Sequence, residues 1–401
     1  MPHSARRPRV AFVVQRCGSD IAGGAERLCL ETATHLREAW DVEILTTCAR
    51  DYMTWKNVYE PGLSEVAGVP LRRFAVDVPR DGAAFERLSR ELESGAPVPL
   101  WRQQDWIAAQ GPVCSALQQF VERSARDYDA IYFYTYLYAT TYQVLPFAGD
   151  AAVLVPLAHD EWPFYLPIWD DLFRRPRGIL FASRDERRLV ERRFGDLPNF
   201  GPAIGIGIDP PRAVDPDAFR HAHGLEQGFA LYLGRVDPAK GCAEMVEQFI
   251  ELRRSERRPR KLVLAGPLEM TLPKHDDVVT LGQISDEDKW NALAAADLLV
   301  MPSRYESLSI VALEAWSVGT PILANGLSSV LVGQCRRSGG GLWYANGSEF
   351  ARLLSSDLLG KAQQLGAQGK RYVEEHYRWS DVVAQHRAWL DDLLALDATH
   401  S

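Results

Sequence analysis

Short apolar runs alternate with longer amphipathic stretches along this chain, and this alternation most constrains the fold. In the first half each run contains four to six residues rich in Val, Ile, Leu and Tyr, with little polar alternation. Such runs are typical of strands covered on both faces. The runs cover residues 10–14, 42–46, 71–74, 130–134, 152–157 and 179–182, and residues 26–39 and 113–127 between them have helical spacing. This order of strand and then helix predicts an α/β fold with a doubly wound parallel sheet.

The alternation breaks over residues 197–216, which contain five prolines and three glycines. Proline and glycine at this density do not continue a helix, and they mark a connection between domains. The alternation then restarts, with strands predicted over 229–233, 262–265, 278–281, 298–301 and 321–324 and helices over 245–254, 286–295 and 309–317. We therefore predict a first domain over 1–197, a linker over 198–216, a second domain over 217–376 and a final helix over 377–401.

Composition narrows the class of protein. A chain of 401 residues predicts two or three domains. The net charge of −8 argues against a general basic surface for nucleic acid. No apolar run approaches the roughly 18 residues that span a bilayer, and the arginines within residues 1–9 precede no apolar segment of the signal-peptide kind. We therefore expect a cytoplasmic protein, with no transmembrane segment.

The six cysteines are scattered and form no CxxC pair, so we expect single thiols in a reducing compartment and no structural metal. A basic run over 253–261 has the charge to touch an anionic membrane surface. We interpret it first as a solvated helix end followed by a turn.

Three motifs carry chemistry. Gly23-Gly24-Ala25-Glu26 follows the first predicted strand and opens the first helix, where free N–H groups suit a phosphate, although a Gly pair is also an ordinary tight turn. The loop 234–241 follows the first strand of the second half. Its Arg235 and Lys240 can clamp a pyrophosphate or can be solvated charges.

The third motif, over residues 305–314, is the most specific. Glu306 is predicted on a loop after a strand, and Ser309 is predicted to cap the helix that contains Glu314. A carboxylate accepts two parallel hydrogen bonds, so Glu314 suits the vicinal hydroxyls of a ribose. The alternative is one surface Glu and one helical Glu.

The spacing of Glu306 and Glu314, followed by Ala-Trp-Ser-Val-Gly-Thr-Pro over 315–321, resembles the signature of retaining GT-B glycosyltransferases of glycosyltransferase family 4. The Gly-Gly-Ala-Glu turn and the loop with Arg235 and Lys240 are similar to that family in order and spacing. The resemblance extends over essentially the whole chain. It implies two Rossmann-like domains that face each other across a cleft, with the last helix packing back on the first domain.

The resemblance also implies roles for single residues. Arg235 and Lys240 match positions that bind the donor diphosphate. Glu306 matches the residue that contacts the donor sugar, and Glu314 matches the residue that holds the ribose. Ser307, Leu308 and Ser309 match the stretch that meets phosphate or sugar, although this chain has Ser where Gly is usual. Ile284 falls where the family often contacts the base, and Gly23 and Gly24 complete the expected donor-binding set.

His159 follows the strand predicted over 152–157 and matches the family's histidine beside the acceptor and the donor sugar. Its imidazole can bond a donor hydroxyl or position the attacking group, and a His satisfied by turn contacts is the alternative. Asp160 or Glu161 is a candidate acceptor-side base. Tyr136 is the aromatic residue that we first expect to stack on a sugar acceptor, although most tyrosines here suit core packing better.

Together with these residues, the resemblance implies a metal-independent, retaining glycosyltransferase with no cofactor. We expect it to act on a nucleotide sugar and a saccharide or lipid-linked acceptor in the synthesis of a cell-surface polysaccharide. Arg235 and Lys240 would stabilise the leaving diphosphate in place of a metal. The pairs Asp215/Asp217 and Asp286/Asp288 are interpreted as turn and capping residues. A nucleotide-sugar epimerase and a non-catalytic nucleotide-sugar binding protein remain alternatives. Peripheral contact with the inner face of a membrane is compatible with this function.

Overall fold

The chain forms two units, each built on its own β-sheet. The computed structural model describes residues 6–21, 23–225, 228–255, 261–355 and 358–398. The first unit contains the chain up to Ile206 and again from Val382 onwards, and the second contains Gly207–Asp381.

The first unit is built on an eight-stranded sheet in the order β3-β4-β2-β1-β5-β6-β7-β8. All neighbouring strands are parallel except β3, which is antiparallel to β4. The strands are β1 Arg9–Val13, β2 Asp41–Thr47, β3 Gly62–Val66, β4 Val69–Phe74, β5 Ala130–Tyr134, β6 Ala152–Val155, β7 Gly178–Phe181 and β8 Phe200–Ala203. The helices are α1 Gly24–Leu36, α2 Gly82–Glu93, α3 Leu100–Gln110, α4 Ser115–Ser124, α5 Ala139–Tyr142, α6 Trp169–Arg174 and α7 Arg184–Phe194.

The second unit is built on a six-stranded parallel sheet in the order β11-β10-β9-β12-β13-β14. Its strands are β9 Phe229–Leu233, β10 Lys261–Ala265, β11 Val278–Gly282, β12 Leu298–Met301, β13 Ile322–Asn325 and β14 Gly341–Tyr344. Its helices are α8 Pro216–His223, α9 Cys242–Ser255, α10 Asp286–Ala295, α11 Ile310–Ser317, α12 Ser329–Ser338, α13 Gly347–Ser355 and α14 Leu358–His376. The last helix, α15 Trp379–Ala398, runs from this unit into the first. The predicted class, α/β with two doubly wound domains, is therefore confirmed.

The predicted linker over 198–216 is wrong in its first part. Residues 200–203 form β8, the last strand of the first sheet, and the first unit extends to Ile206. Pro202 is tolerated because β8 is an edge strand with one unpaired side. At the other end of the predicted linker, Asp215 already caps α8.

Glycines in the first sheet make room for α15. A side chain at Gly178 or Gly201 would collide with the indole of Trp389, which lies directly over both backbones. Trp389 also contacts the ring of Tyr132 in β5 edge-on, at 6.2 Å between ring centroids. Gly178 and Gly201 make β7 and β8 harder to detect in the sequence, and their lack of a side chain allows the last helix to pack on these strands.

His386 on α15 lies in the same aromatic cluster. It is fully buried, its ring centroid is 6.2 Å from Tyr132 and 6.4 Å from Trp40, and neither ring nitrogen has a hydrogen-bond partner among the described residues. Burial lowers the pKa of His386 to about 4 because a charged imidazolium would lose its water without gaining a partner.

Because of this histidine, the free energy of unfolding should decrease when the pH is lowered. Above the ordinary histidine pKa of about 6.5 both the folded and the unfolded chain hold it neutral. Between about pH 6.5 and 4 only the unfolded chain binds the proton, so the free energy of unfolding decreases as pH falls, by about 2 kcal/mol at pH 5. Urea unfolding of wild type and His386→Leu at pH 7.5 and pH 5 measures this difference. Equal losses of stability in both proteins would contradict it.

Candidate active site

The best-defined group of candidate residues lies at the carboxyl edge of the second sheet. The strands β9 and β12 are neighbours, so the loops that follow them leave the sheet side by side. The first loop carries Arg235 and Lys240, and the second carries Glu306. The Lys240 Nζ donates to Glu306 Oε1 at 3.1 Å, which joins the two loops across 66 residues of sequence.

Asp237 holds the first loop in shape. Its carboxylate accepts from the backbone N–H of Lys240 at 2.9 Å and pairs with the guanidinium of Arg235 through its other oxygen. Asp237 is buried, whereas the Arg235 and Lys240 side chains each keep 34% of their surface exposed. One buried carboxylate therefore holds the Arg235 guanidinium and the backbone of Lys240, and both cationic side chains still reach solvent.

The sequence analysis predicts a positively charged clamp of Arg235 and Lys240, but in the structure carboxylates surround both cations. Arg235 also lies 3.6 Å from Glu269, so two cations stand against the three carboxylates of Asp237, Glu269 and Glu306. A diphosphate at this edge would have to compete with Glu306 for Lys240. The cluster is thus a set of exchangeable ion pairs rather than a purely positive clamp.

The stretch 307–309 forms the entry to α11. Ser309 has φ +64°, the left-handed conformation that glycine adopts most easily, and its hydroxyl is buried with no hydrogen-bond partner among the described residues. The Leu308 carbonyl accepts from Gln334 at 2.7 Å, while Ser307 is half-buried. The backbone here has the form that suits the family's glycine, although the residue is serine.

Glu314 lies inside α11 and is almost fully buried. Its Oε1 accepts from Lys289 Nζ at 2.9 Å, and the same Nζ lies 2.6 Å from Asp286 Oδ1. Ile284, half-buried, precedes the cap of α10 on the loop after β11. Glu314 thus forms a buried ion pair with Lys289, which the sequence analysis did not predict.

In the first unit, Gly23 and Gly24 stand at the start of α1 as predicted, but their surroundings hold a carboxylate. The side chain of Glu26 folds back over Gly23, where any side chain would collide with it. Its Oε1 accepts from Arg16 Nε at 2.5 Å and from Gln15 Nε2 at 3.1 Å. Glu26 therefore takes up part of the space beside this turn in which a phosphate is expected.

His159 follows β6 on a loop at the carboxyl edge of the first sheet. Its side chain is one-third exposed, and Nδ1 lies 3.3 Å from Glu161 Oε1. Asp160 accepts from the hydroxyl of Tyr165 at 2.5 Å. Glu161 therefore orients the imidazole ring, and it is the better placed of the two carboxylates to share a proton with His159.

Tyr136 does not fit the acceptor role that the sequence analysis gave it. It is 1% exposed, and its ring contacts Trp169, Phe164 and Phe173, with the nearest centroid 4.9 Å away. Burial raises the pKa of its hydroxyl well above the ordinary tyrosine value. Neither face is left for a sugar, because the residue belongs to the core of the first unit.

The Asp pairs have the local roles that the sequence suggests. Asp215 caps α8 by accepting from the Ala218 N–H, and Asp286 and Asp288 lie in the first turn of α10, which Ser285 caps. Among the described residues no group of three or more His, Cys, Asp or Glu is arranged to hold a metal ion. No helix in the described part of the chain has the length and apolar character to cross a bilayer. The basic run over 253–261 falls mostly on residues 256–260, which lie outside the described residues.

Asp237 and Lys289 are the functional candidates that the sequence analysis missed. Asp237 stands inside the quoted loop, two residues after Arg235, and its spacing to Lys240 is that of a capping residue, so a signal existed. Lys289 carries no such signal, because its partner Glu314 is 25 residues further along the chain.

Most of the second unit matches a known protein family. Residues 214–372 match the family described as Glycosyl transferases group 1. This stretch contains Arg235, Lys240, Glu306 and Glu314, so the family match includes the main candidate residues of the second unit.

Curated relatives share part of the chain. The MMP alpha-(1->4)-mannosyltransferase of Mycolicibacterium hassiacum is 29% identical over 200 residues, which are 46% of this chain and 48% of the relative. The alpha-D-kanosaminyltransferase of Streptomyces kanamyceticus is 32% identical, over 39% of this chain and 44% of the relative. D-inositol 3-phosphate glycosyltransferase 2 of Catenulispora acidiphila is 31% identical, over 54% and 57%. The chain thus matches about half the length of each of these relatives.

Solved structures share the whole fold at low identity. Sucrose-phosphate synthase from Thermosynechococcus elongatus superimposes with a TM-score of 0.69 at 18% identity, over 97% of this chain and 100% of that chain. Anabaena Alr3699/HepE in complex with UDP-glucose gives a TM-score of 0.67 at 16% identity, over 96% and 100%. WaaG, a glycosyltransferase involved in lipopolysaccharide biosynthesis, gives 0.60 at 15%, over 96% and 99%. At these identities the likeness identifies the fold, which is that of the GT-B glycosyltransferases.

Proposed function

We propose that this protein is a retaining, metal-independent glycosyltransferase that moves a sugar from a nucleotide-sugar donor to a saccharide or glycolipid acceptor. The observation that carries the proposal is the ion-pair cluster of Arg235, Asp237, Lys240 and Glu306 at the carboxyl edge of β9 and β12. It lies within the segment that matches the glycosyl transferases group 1 family. The names of the relatives that state an activity are names of transferases, so neither an epimerase nor a non-catalytic binding protein is favoured.

Each part of the cluster has a task in this reaction. As the bond between sugar and diphosphate breaks, negative charge develops on the leaving phosphate, and Arg235 and Lys240 are already held in place to receive it. When Lys240 turns to the phosphate, Glu306 loses its counter-charge and becomes available to the positive charge on the donor sugar. Glu314 would accept from the ribose hydroxyls in place of Lys289.

The acceptor side of the proposal rests on the first unit. His159, held by Glu161, would bond a hydroxyl of the donor sugar or the attacking acceptor group. Retention of configuration comes from the family resemblance, by front-face attack assisted by the leaving phosphate. A role in cell-surface polysaccharide or glycolipid synthesis, in the cytoplasm or at the inner face of the membrane, is part of this proposal.

A thermal-shift screen tests the donor assignment. The screen compares UDP, GDP, ADP and their glucose and mannose derivatives with the free nucleosides and with inorganic phosphate. A ligand that binds only the folded protein at 100 times its dissociation constant adds about 2.7 kcal/mol of stability. We expect one base to raise Tm clearly as both nucleoside diphosphate and nucleotide sugar, while nucleosides and phosphate do not. If no nucleotide raises Tm, the proposed function is wrong.

A further inference from the structure

The loop that carries His159 is held by a buried carboxylate on another element. Glu186 is the third residue of α7, which begins after β7 with Ser183 as its cap. Its side chain is fully buried. Because β6 and β7 are neighbours in the sheet, the start of α7 lies beside the loop that leaves β6.

Glu186 joins these two loops through both of its oxygens. Oε1 accepts from the Ala158 N–H at 2.7 Å, and Oε2 accepts from the Ala182 N–H at 2.6 Å. Ala158 directly precedes His159 in the chain. The carboxylate thus accepts from the backbone N–H of the residue that precedes the candidate catalytic residue, although Glu186 and His159 are 27 positions apart in sequence.

The turn that Glu186 holds is strained. Leu157 has φ +51°, a left-handed conformation that residues with a side chain adopt rarely, and it immediately precedes Ala158. Such a conformation persists only where the surrounding contacts determine it. The hydrogen bond from Ala158 to Glu186 is one such contact.

Only a group with two acceptor oxygens completes this arrangement. A glutamine in the same place would turn an NH₂ group toward one of the two backbone N–H donors. Burial raises the pKa of the Glu186 carboxyl to about 8, and the backbone N–H groups act in the opposite direction. Both contacts are fully satisfied in the ionised form, which has no proton to direct at an N–H and which prevails above this pKa, so wild type and variants are compared at pH 9.

We propose that Glu186 is a positioning residue that sets the backbone of the Leu157–Ala158 turn and thereby the orientation of His159. The inference rests on the proposed function, in which His159 acts on the donor sugar or the acceptor. It assigns to α7 a role in the reaction that neither the family match nor the sequence motifs assign, because the match begins at residue 214.

The test uses the full chain and four variants: Glu186→Gln, His159→Ala, both together, and Ser183→Ala as the matched control. Ser183→Ala removes the cap of the same helix, whose Oγ accepts from the Glu186 N–H at 3.1 Å, but leaves the carboxylate in place. Turnover is followed as release of nucleoside diphosphate from the nucleotide sugar selected by the thermal-shift screen.

We expect Glu186→Gln to lower kcat by about 10- to 100-fold with KM for the donor unchanged, because a misoriented group loses rate rather than donor contacts. Ser183→Ala should stay within about twofold of wild type. In the His159→Ala background the second substitution should cause no further loss, because it acts through His159. Equal factors in both backgrounds, or full activity of Glu186→Gln, would overturn the proposal.

Hydrogen exchange gives a second measurement that needs no substrate. Glu186→Asp keeps the charge and offers a variant with less risk to folding, but its shorter side chain does not reach both N–H groups. We expect the backbone amide hydrogens of Ala158 and His159 to exchange about tenfold faster or more in Glu186→Gln and in Glu186→Asp. Their exchange rates should stay unchanged in Ser183→Ala. Unchanged exchange at Ala158 in both variants also overturns the proposal. If instead His159→Ala has normal turnover, the role proposed for His159 is wrong although the proposed function stands, and exchange alone decides whether Glu186 holds the turn.

Discussion

Replacing Glu306 with alanine is expected to lower the rate of sugar transfer by about 10²- to 10³-fold, the usual loss when one preorganised electrostatic group is removed. The affinity for the bare nucleoside diphosphate should not weaken, and it should stay equal or become tighter. The reason lies in the ion pair of Lys240 with Glu306 at 3.1 Å. Without Glu306, Lys240 has one competitor fewer, and the diphosphate meets one negative charge fewer.

The two measurements are steady-state turnover and calorimetric titration with the nucleoside diphosphate. Glu244→Ala is the control, because Glu244 is an exposed acid paired with Arg304 on the loop that leads to Glu306. It should change neither value by more than about twofold. Normal turnover of Glu306→Ala contradicts the site assignment, and a large loss of diphosphate affinity contradicts the competition for Lys240.

Replacing Arg235 with alanine should weaken nucleoside diphosphate binding by about 10- to 100-fold, since a hydrogen bond to a charged group contributes about 1.5–3 kcal/mol. Part of this loss comes from Asp237, which is buried and would remain without the Arg235 guanidinium beside it. The double variant Arg235→Ala/Asp237→Asn should therefore recover part of the lost affinity.

Arg304→Ala is the matched control for this experiment, because Arg304 is a cation on the neighbouring loop after β12 that pairs with Glu244 instead of with the cluster. Its affinity should differ little from wild type in a buffer of physiological ionic strength. Unchanged affinity of Arg235→Ala would show that the guanidinium does not contact the diphosphate. A double variant weaker than Arg235→Ala would show that Asp237 acts mainly through Lys240.

The sequence predicts the buried centre of each sheet well, and it also predicts the edge strand β11 to within one residue, but it misses the edge strands β3, β8 and β14. β5, β9 and β12 have the predicted bounds, because their apolar runs are covered on both faces and leave a continuous signal. β3 is exposed along most of its length and pairs antiparallel with β4 through the turn Ala67-Gly68. β8 contains a glycine and a proline. Both strands exist because a neighbour offers hydrogen bonds, and neither carries the continuous buried apolar run that a sequence pattern detects.

The same limit applies to the candidate site. Residue types at the ends of strands are sufficient to select Arg235, Lys240 and Glu306, because parallel strands bring their carboxyl ends to one edge. Which side chains pair cannot be read from the spacing, so the bond between Lys240 and Glu306 and that between Lys289 and Glu314 emerge only in the structure. Tyr136 shows the opposite error, because it continues the alternate tyrosines of β5 into the segment after the strand, and this spacing suits a binding face and a core equally well.

The packing of α15 on Gly178 and Gly201 has a consequence for folding during synthesis. The ribosome releases β7 and β8 early, but Trp389, which covers them, is synthesised only after the entire second unit. Nascent domains generally fold in order from the amino terminus. Here the first unit must wait with part of its apolar surface open until translation nears the last helix, while the second unit, contiguous in the chain, is free to fold ahead of it.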